Sequence, residues 1–269
     1  MIISNELAKQ LKEKYNAEGT VLRLAQLRML EMLKFIDNIC RANNITYWIE
    51  GGTLLGAVRH GGFIPWDDDA DICMPYKDAE KFKKIMLKEN NNKQFVLQCK
   101  ETDKGFFGAW YVLRDLNSEY IINSKMHNKQ RYRGLQVDIF FAEDRTIIPL
   151  WSFSRFVQRC IDKPLNKIKN FRIACTISYP LYFFMHNILI PFSRFLSKEK
   201  NYYKMPYGSM WKFNMMKKQI YPIRNCVFED YELCAPCNVD AYLTTEFGNW
   251  QEIPQNIWTH KAEIVIKCV

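Results

Sequence analysis

The chain has 269 residues, 48% of them hydrophobic and 25% charged, with a formal net charge of +9. This balance allows a full hydrophobic core and excludes an intrinsically disordered protein. Nine cysteines, an odd number spread from Cys40 to Cys268, favour a reducing compartment, so we expect a cytoplasmic protein.

The first predicted element is a helix over residues 20–42, with Thr20 as its N-cap. Apolar residues recur there with helical spacing, at Met29, Leu33, Ile36 and Cys40. The β-branched and aromatic run 45–50 is typical of a short strand.

Gly51, Gly52 and Thr53 follow this strand and would turn it into a helix over residues 54–59. The start of a helix offers unpaired backbone N–H groups and a partial positive charge to phosphate, and glycine lets a ligand approach the backbone closely. Arg59 could add a formal charge to the same anion site.

Four carboxylates come next within five positions: Asp67, Asp68, Asp69 and Asp71. If residues 67–74 form a strand, Asp67, Asp69 and Asp71 share one face, whereas Asp68 turns away. Asp69 and Asp71 could then bind magnesium, which takes oxygen ligands and keeps several waters. A solvated turn is the alternative, but the run leads directly into an apolar strand, so we favour a metal site.

Two runs, 47–60 and 63–72, resemble the signature of the LicD family. This family includes bacterial phosphocholine transferases, is similar to the fukutin-type ribitol-phosphate transferases, and belongs to the nucleotidyltransferase-like superfamily. The resemblance implies an α/β (α+β) fold, a nucleotidyltransferase-like mixed sheet with flanking helices. The superfamily pattern is a strand, a Gly-Gly or Gly-Ser step, a helix, a strand with Asp-x-Asp and a later strand with a third Asp.

Asp138 matches that third acidic position, since it interrupts an apolar, strand-like run over residues 134–141. An Asp within a buried strand is costly unless it is paired, ligating or at the strand end. A salt bridge with Arg131 or Arg133 is one explanation. Beside Asp69 and Asp71, the favoured role is a third metal ligand or a group that orients the acceptor hydroxyl.

Two further residues are candidates through the resemblance. Arg114 lies in a run, 110–115, that resembles the family's basic strand, where it could contact phosphate; pairing with Asp115 or Glu119 is the alternative. Residues 228–254 resemble the family's closing segment more weakly. His260 follows where the family often has a histidine, and it could contact phosphate or acceptor.

The stretch 174–192 contains 19 residues without formal charge, close to the roughly 20 residues that span a bilayer. Two prolines, a histidine and an asparagine lower the apolar character of this stretch. We therefore predict helices that cover the core or lie at a membrane surface. Basic and aromatic residues on both sides favour anionic headgroups, and a solvated basic face is the alternative.

We therefore predict a single LicD-like domain over residues 1–269. It consists of the helix 20–42, a nucleotidyltransferase-like core over 43–145, and a mainly helical, partly amphipathic C-terminal part over 146–269. Peripheral contact with the inner face of the membrane is compatible with this organisation.

The resemblance implies metal-dependent transfer of a phospho-alcohol group, phosphocholine or a polyol phosphate, from a CDP-linked donor. The acceptor would be a hydroxyl of a cell-surface glycan or lipid-linked glycan, and CMP would be released. Mg²⁺ or Mn²⁺ would be held by Asp69, Asp71 and Asp138, with Asp67 as an outer helper. Phosphate would be bound by Gly51, Gly52, Thr53, Arg59, Arg114 and His260.

The nature of the alcohol stays open, because a choline group would suit an aromatic cage and a polyol would need hydroxyl-binding residues. Candidate cage residues are Phe63, Trp66, Trp110 and Tyr111. Two alternatives to the phosphotransferase also remain: a nucleotidyltransferase that releases pyrophosphate from an NTP, and a non-enzymatic basic module that binds RNA or membrane. We do not expect a nucleic-acid partner.

Overall fold

The computed structural model describes residues 3–88, 93–254, 257 and 262–267. A five-stranded mixed sheet occupies the centre. The strands are β1 (Trp48–Ile49), β2 (Asp71–Pro75), β3 (Phe95–Gln98), β4 (Tyr111–Asp115), β5 (Ser118–Ile121, outside this sheet) and β6 (Gln136–Ala142). The strand order in the sheet is β1-β2-β6-β4-β3. Strands β2 and β6 are parallel, and the other neighbours are antiparallel. The mixed α/β fold is thus confirmed.

Four helices cover the first part of the chain: α1 (Asn5–Tyr15), α2 (Val21–Ala42), α3 (Gly51–His60) and α4 (Tyr76–Lys88). Helix α2 is the predicted N-terminal helix, and the side chain of Thr20 caps it by accepting a hydrogen bond from Arg23 N at 3.3 Å. Buried apolar residues of α2, α3 and α4 pack with those of the sheet into one large core. Helix α1 has no counterpart in the sequence prediction.

Two boundaries differ from the sequence prediction around the Gly-Gly step. The strand predicted over 45–50 is confined to β1, and α3 begins at Gly51 instead of Leu54. Gly51 has a φ of +55°, a conformation that glycine adopts readily. The chain therefore passes from strand to helix without an intervening loop.

The strand predicted over residues 67–74 is wrong in its first half. Strand β2 begins at Asp71, where its pairing with β6 begins, and residues 67–70 form an irregular segment. Local alternation cannot reveal where a neighbouring strand begins to pair, so the face assigned to each aspartate needed the tertiary structure.

Helices dominate the next part of the chain and enclose a second, smaller core. Helix α5 (Ile148–Lys167) packs against α6 (Phe171–Phe184), which continues through a π-helical turn (Met185–Leu189) into α7 (Ile190–Leu196). Among the described residues, this continuous helix is the one long and apolar enough to cross a membrane by length and composition.

The last part of the chain adds short strands that the sequence did not predict. The elements are β7 (Tyr202–Lys204), β8 (Asn214–Met216), α8 (Lys217–Ile220), β9 (Arg224–Phe228), β10 (Tyr231–Ala235), α9 (Val239–Phe247) and β11 (Glu263–Ile266). Strands β9 and β10 form a hairpin, β7 pairs with β8, and β11 pairs with β5. The β9–β10 hairpin and α9 pack on the main core beside α3.

Candidate active site

The sheet places two carboxylates side by side. Asp71, the first residue of β2, and Asp138, in β6, are direct partners across the parallel pair. Their strands leave the site in the same direction, and the apolar residues that follow both aspartates are buried. These two acidic groups therefore stand at the edge of the core on a rigid support.

The first turn of α3 lies against these carboxylates. A Cβ atom added to Gly51 would lie 3.0 Å from Asp71 Oδ2, and one added to Gly52 would lie 2.7 Å from Asp67 Oδ2. The backbone N–H of Asp71 donates to Thr53 Oγ1 at 2.8 Å. Glycine is thus needed because acidic side chains occupy the space where a Cβ would be.

The segment before β2 brings three more carboxylates together. One oxygen from each of Asp67, Asp68 and Asp69 lies within 4.8 Å of the others. Gln26 on α2 holds this segment by donating from Nε2 to Asp67 O at 2.9 Å. The expectation that Asp68 turns away from the cluster is therefore wrong, because residues 67–70 do not have strand geometry.

The electrostatics of the cluster are unfavourable without a cation. Burial raises the pKa of Asp71 well above its usual value, and the charges of Asp69 and Asp138 raise it further. Burial and the charge of Asp69 likewise raise the pKa of Asp67. Converging oxygen atoms that repel one another in a partly buried site fit a hard divalent cation such as Mg²⁺.

Two glutamates that the sequence analysis missed lie behind the aspartates. Glu50 is buried, and its Oε2 accepts hydrogen bonds from Trp48 Nε1 at 2.9 Å and from the Tyr242 hydroxyl. Burial raises the pKa of Glu50 to about 7. Glu246 on α9 has its Oε1 within 3.7 Å of the position of a Gly51 Cβ, and its pKa is also raised by burial and by Glu50.

A sequence signal existed for one of these glutamates only. Glu50 directly precedes the Gly-Gly step, so an acidic residue at the start of α3 was visible. Glu246 reaches the site from a helix almost 200 residues further along the chain, and no local pattern indicates that contact.

The guanidinium of Arg59 makes contacts within the protein that differ from the phosphate contact that the sequence predicted. Arg59 is 3% exposed, and its Nη1 donates to Trp250 O and Glu252 O, both at 2.9 Å, while Nε contacts His60 Nε2. The guanidinium thus ties α3 to the segment after α9. This geometry favours a structural role for Arg59.

Arg114 remains close to the acidic groups. Its guanidinium donates to Gln98 Oε1 at 2.8 Å and to Gln136 Oε1 at 2.6 Å. Burial lowers the pKa of Arg114 to about 10, and the nearby Asp138 opposes that effect. Asp115, the alternative partner considered for Arg114, instead accepts from Arg28 at 2.8 Å.

A cavity of about 360 Å³ opens beside Asp138, between the sheet and α5. Its wall combines apolar side chains, such as Phe107 and Trp110, with basic and polar ones, and α5 contributes Arg155 and Arg159. The lining includes Arg114, His127, Gln136, Asp138, Arg155 and Arg159. The cavity thus offers room for a ligand with polar and apolar parts next to Asp138.

The four aromatic residues considered for a cage do not come together. Trp66 packs on Tyr15, and Phe63 packs on Phe228. Of the four, Trp110 lines the cavity beside Asp138, whereas Tyr111 packs on Phe141. His260 lies outside the described residues, so its predicted contact stays a prediction.

Comparison with known proteins gives a family match over the same part of the chain. Residues 44–172 match the nucleotidyltransferase domain described as LicD/FKTN/FKRP. This range contains α3, the aspartate cluster and Asp138, and it ends within the start of α6.

Individual relatives agree with this match. The lipopolysaccharide cholinephosphotransferase LicD of Haemophilus influenzae is 25% identical over 250 residues, covering 87% of this chain and 92% of that protein. An uncharacterized protein of Rickettsia typhi is 48% identical over 132 residues, or 42% of this chain and 41% of that protein. The mouse ribitol 5-phosphate transferase FKRP is 44% identical over 66 residues, 24% of this chain and 13% of that protein.

Proposed function

The chain is a phosphotransferase of the LicD family, with its nucleotidyltransferase domain at residues 44–172, and we propose that it moves a phospho-alcohol group from a CDP-linked donor to a glycan hydroxyl. The group is phosphocholine or a polyol phosphate, and CMP is the second product. Relatives named for phosphocholine transfer and for ribitol 5-phosphate transfer support both choices of group.

One observation carries the proposal: Asp71 and Asp138 are paired across parallel strands, directly in front of the glycines that begin α3. Acidic groups for a cation and backbone donors for phosphate therefore meet at one point. Phosphoryl transfer depends mainly on positioning and on stabilisation of negative charge, and this arrangement supplies both.

The aspartates would hold the cation, with Asp69, Asp71 and Asp138 as ligands and Asp67 beside them. When bound, Mg²⁺ or Mn²⁺ would neutralise charge on the transferred phosphate and its leaving group. The raised pKa values of Asp67 and Asp71 support this assignment, since a cation favours their ionised forms.

The chain's own groups would orient the reactants. The N–H groups at the start of α3 would donate to phosphate oxygens, and the lack of side chains at Gly51 and Gly52 allows the carboxylates of Asp71 and Asp67 to lie close to this helix start. Thr53 would act indirectly, by fixing the backbone of Asp71. Arg114 would offset the negative charge beside Asp138, and the adjoining cavity would receive the donor.

Product analysis tests this proposal. Purified protein is incubated with Mg²⁺ and, in separate reactions, CDP-choline, CDP-ribitol, CDP-glycerol or CTP, and the nucleotides are separated by chromatography. We expect release of CMP from one CDP-alcohol. Release of pyrophosphate from CTP would support the nucleotidyltransferase alternative, and no turnover of any donor, with acceptor glycan present, would contradict the proposal.

A further inference from the structure

The continuous helix Phe171–Leu196 exposes large apolar side chains along one side. Ile173, Ile177 and Ile188 are each about half exposed, Phe192 is 54% exposed, and Phe195 is 84% exposed. Their spacing follows the turns of the helix, so they form a stripe. Exposed apolar surface of this extent marks an interaction site more often than a solvated one.

The opposite side of this helix is firmly packed. Ala174, Met185 and Leu189 belong to the second core with residues of α5, and Ser178 Oγ donates to Ile161 O at 2.7 Å. Within the most apolar 18-residue stretch of this helix, 28% is buried inside the protein. The helix is therefore anchored on one side and open on the other.

Helix α5 extends the apolar surface. Phe153 and Phe156 are 45% and 59% exposed, and their rings stack with centroids 6.1 Å apart. Arg155 and Arg159 on the same helix line the cavity beside Asp138. The apolar surface and the cavity thus share one supporting helix.

The segment that carries this apolar surface is rich in basic residues and contains almost no acidic residues. From residue 148 to residue 198 the sequence has eight basic residues and one acidic residue, Asp162. Asp162 is partly buried and accepts a hydrogen bond from Gln158. The exposed basic residues include Arg159, Lys163, Lys167, Lys169, Arg172 and Lys198.

From these observations we infer that the exposed face of α5, α6 and α7 docks on a lipid bilayer surface with anionic headgroups. Aromatic and aliphatic side chains would enter the boundary of the acyl chains, and the basic residues would contact the headgroups. A second copy of the chain fits less well, because it would bring two strongly basic surfaces together. A spanning orientation conflicts with the packing of the helix on α5.

Docking in this way places the cavity next to the membrane. Because α5 carries the exposed Phe153 and Phe156 and also lines the cavity through Arg155 and Arg159, an acceptor attached to a lipid would be held near Asp138. This consequence rests on the proposed function, whereas the docking itself does not.

Vesicle sedimentation with the whole chain tests the docking. Vesicles of phosphatidylcholine alone are compared with vesicles containing 30% phosphatidylglycerol. We expect binding to the anionic vesicles at least tenfold tighter than to the neutral ones, and weaker binding as salt rises. The triple variant Ile188→Ser, Phe192→Ser, Phe195→Ser should bind at least tenfold more weakly.

Matched variants control for general effects of the substitutions. The triple variant Val21→Ser, Leu24→Ser, Val227→Ser changes exposed apolar residues elsewhere and should bind like the unmodified chain. The pair Lys163→Glu, Lys167→Glu should lose the preference for anionic vesicles, whereas Lys9→Glu, Lys12→Glu should keep it. Circular dichroism and Tm identify any variant that fails to fold.

Three outcomes would overturn the inference. One is a chain that stays in the supernatant with anionic vesicles. The second is a dimer in lipid-free solution that becomes a monomer in the Ile188, Phe192, Phe195 variant. The third is bound protein that resists alkaline extraction, as a spanning helix would. CMP release from a soluble donor is scored separately, so loss of docking and failure of the proposed reaction are distinguishable.

Discussion

At the scale of single residues, Asp71 connects three features of the site. It is the first residue of β2, it pairs with Asp138 across the sheet, and its carboxylate lies over Gly51. Its side chain is also held where burial and neighbouring charges disfavour ionisation. Such a residue is unfavourable for stability alone, which is typical of a group retained for function.

We expect Asp71→Asn to abolish most activity while raising stability. Loss of one of the carboxylates proposed to bind the metal should reduce turnover by about three orders of magnitude. At pH 7.5 the Tm in the absence of metal should rise, by about 2–4 °C for each kcal/mol gained, because a buried repelling charge is removed. CMP release and differential scanning calorimetry measure the two effects.

The exposed carboxylate Asp240 on α9 provides the control for this substitution. Asp240→Asn should leave turnover unchanged and should not raise Tm, because Asp240 lies in the first turn of α9, where a carboxylate is favourable. Full activity of the Asp71→Asn variant would contradict a role of Asp71 in the active site. A lower Tm of this variant would show that the charge of Asp71 is stabilising.

Thr53 provides a second test at this scale, because its hydroxyl accepts the hydrogen bond from the backbone of Asp71. Thr53→Val keeps the shape but leaves that buried N–H without a partner, at a cost of about 1–3 kcal/mol. We expect a lower free energy of unfolding in urea and a lower kcat in steady-state kinetics. Thr53→Ser retains the acceptor and should behave like the unmodified chain; equal losses in both variants would contradict this role.

At the scale of elements, the β9–β10 hairpin supports the loop that precedes the aspartates. Glu229, in the hairpin turn, accepts from Arg23 Nη1 and Nη2 at 3.0 and 2.9 Å and from Phe63 N at 3.1 Å. Arg23 belongs to α2, so one carboxylate joins the helix, the hairpin and the loop. Burial alone would raise the pKa of Glu229, but the hydrogen bonds from Arg23 and the charge of Arg23 lower it below its usual value.

We expect Glu229→Gln to destabilise the protein by about 3 kcal/mol, because it leaves the guanidinium of Arg23 poorly paired in a largely buried position. The adjacent Asp230 also forms an ion pair, with Lys34, but its side chain is 75% exposed. Asp230→Asn should therefore cost less than about 1 kcal/mol. Similar unfolding free energies for the two variants in urea would contradict the assigned role of Glu229.

At the scale of the whole molecule, an acidic site lies within a basic protein. The net charge of +9 would attract anionic substrates and surfaces at long range, whereas the local cluster of aspartates would attract a cation. The helices α5, α6 and α7 have a core separate from that of the sheet. The proposed reaction would thus take place at the sheet, the proposed membrane contact would involve the second core, and α5 would border both.

Addition of Mg²⁺ should therefore stabilise the whole protein. A ligand at 100 times its Kd contributes about 2.7 kcal/mol, so Tm should rise by several degrees and return to its starting value with EDTA. The increase should be larger at pH 8 than at pH 6. The pKa values of Asp67 and Asp71 are raised, so these groups hold protons at low pH that must leave before they bind a cation.

The double variant Asp71→Asn, Asp138→Asn is the control for metal binding and should show no Mg²⁺-dependent change in Tm. Asp240→Asn should respond like the unmodified chain. An unmodified chain whose Tm is independent of Mg²⁺ at both pH values would exclude a cation at the aspartates.

The amino-acid sequence by itself determined the mixed α/β fold class and several of its elements. The helix around residues 20–42, the step from strand to helix at Gly51 and the acidic run that includes Asp71 follow from local spacing and residue type, whereas the choice of Asp138 depended on the resemblance to the LicD family. Such patterns are local because each helix or strand must present a regular apolar face.

Only the tertiary structure decided which side chains meet. It placed Asp68 within the acidic cluster, tied Arg59 to the segment after α9, and brought Glu246 from a distant helix toward Gly51. Each of these contacts joins segments outside a regular element or far apart in the chain. Periodicity determines the faces of single elements, but the packing of one element on another depends on burial and charge in the assembled core.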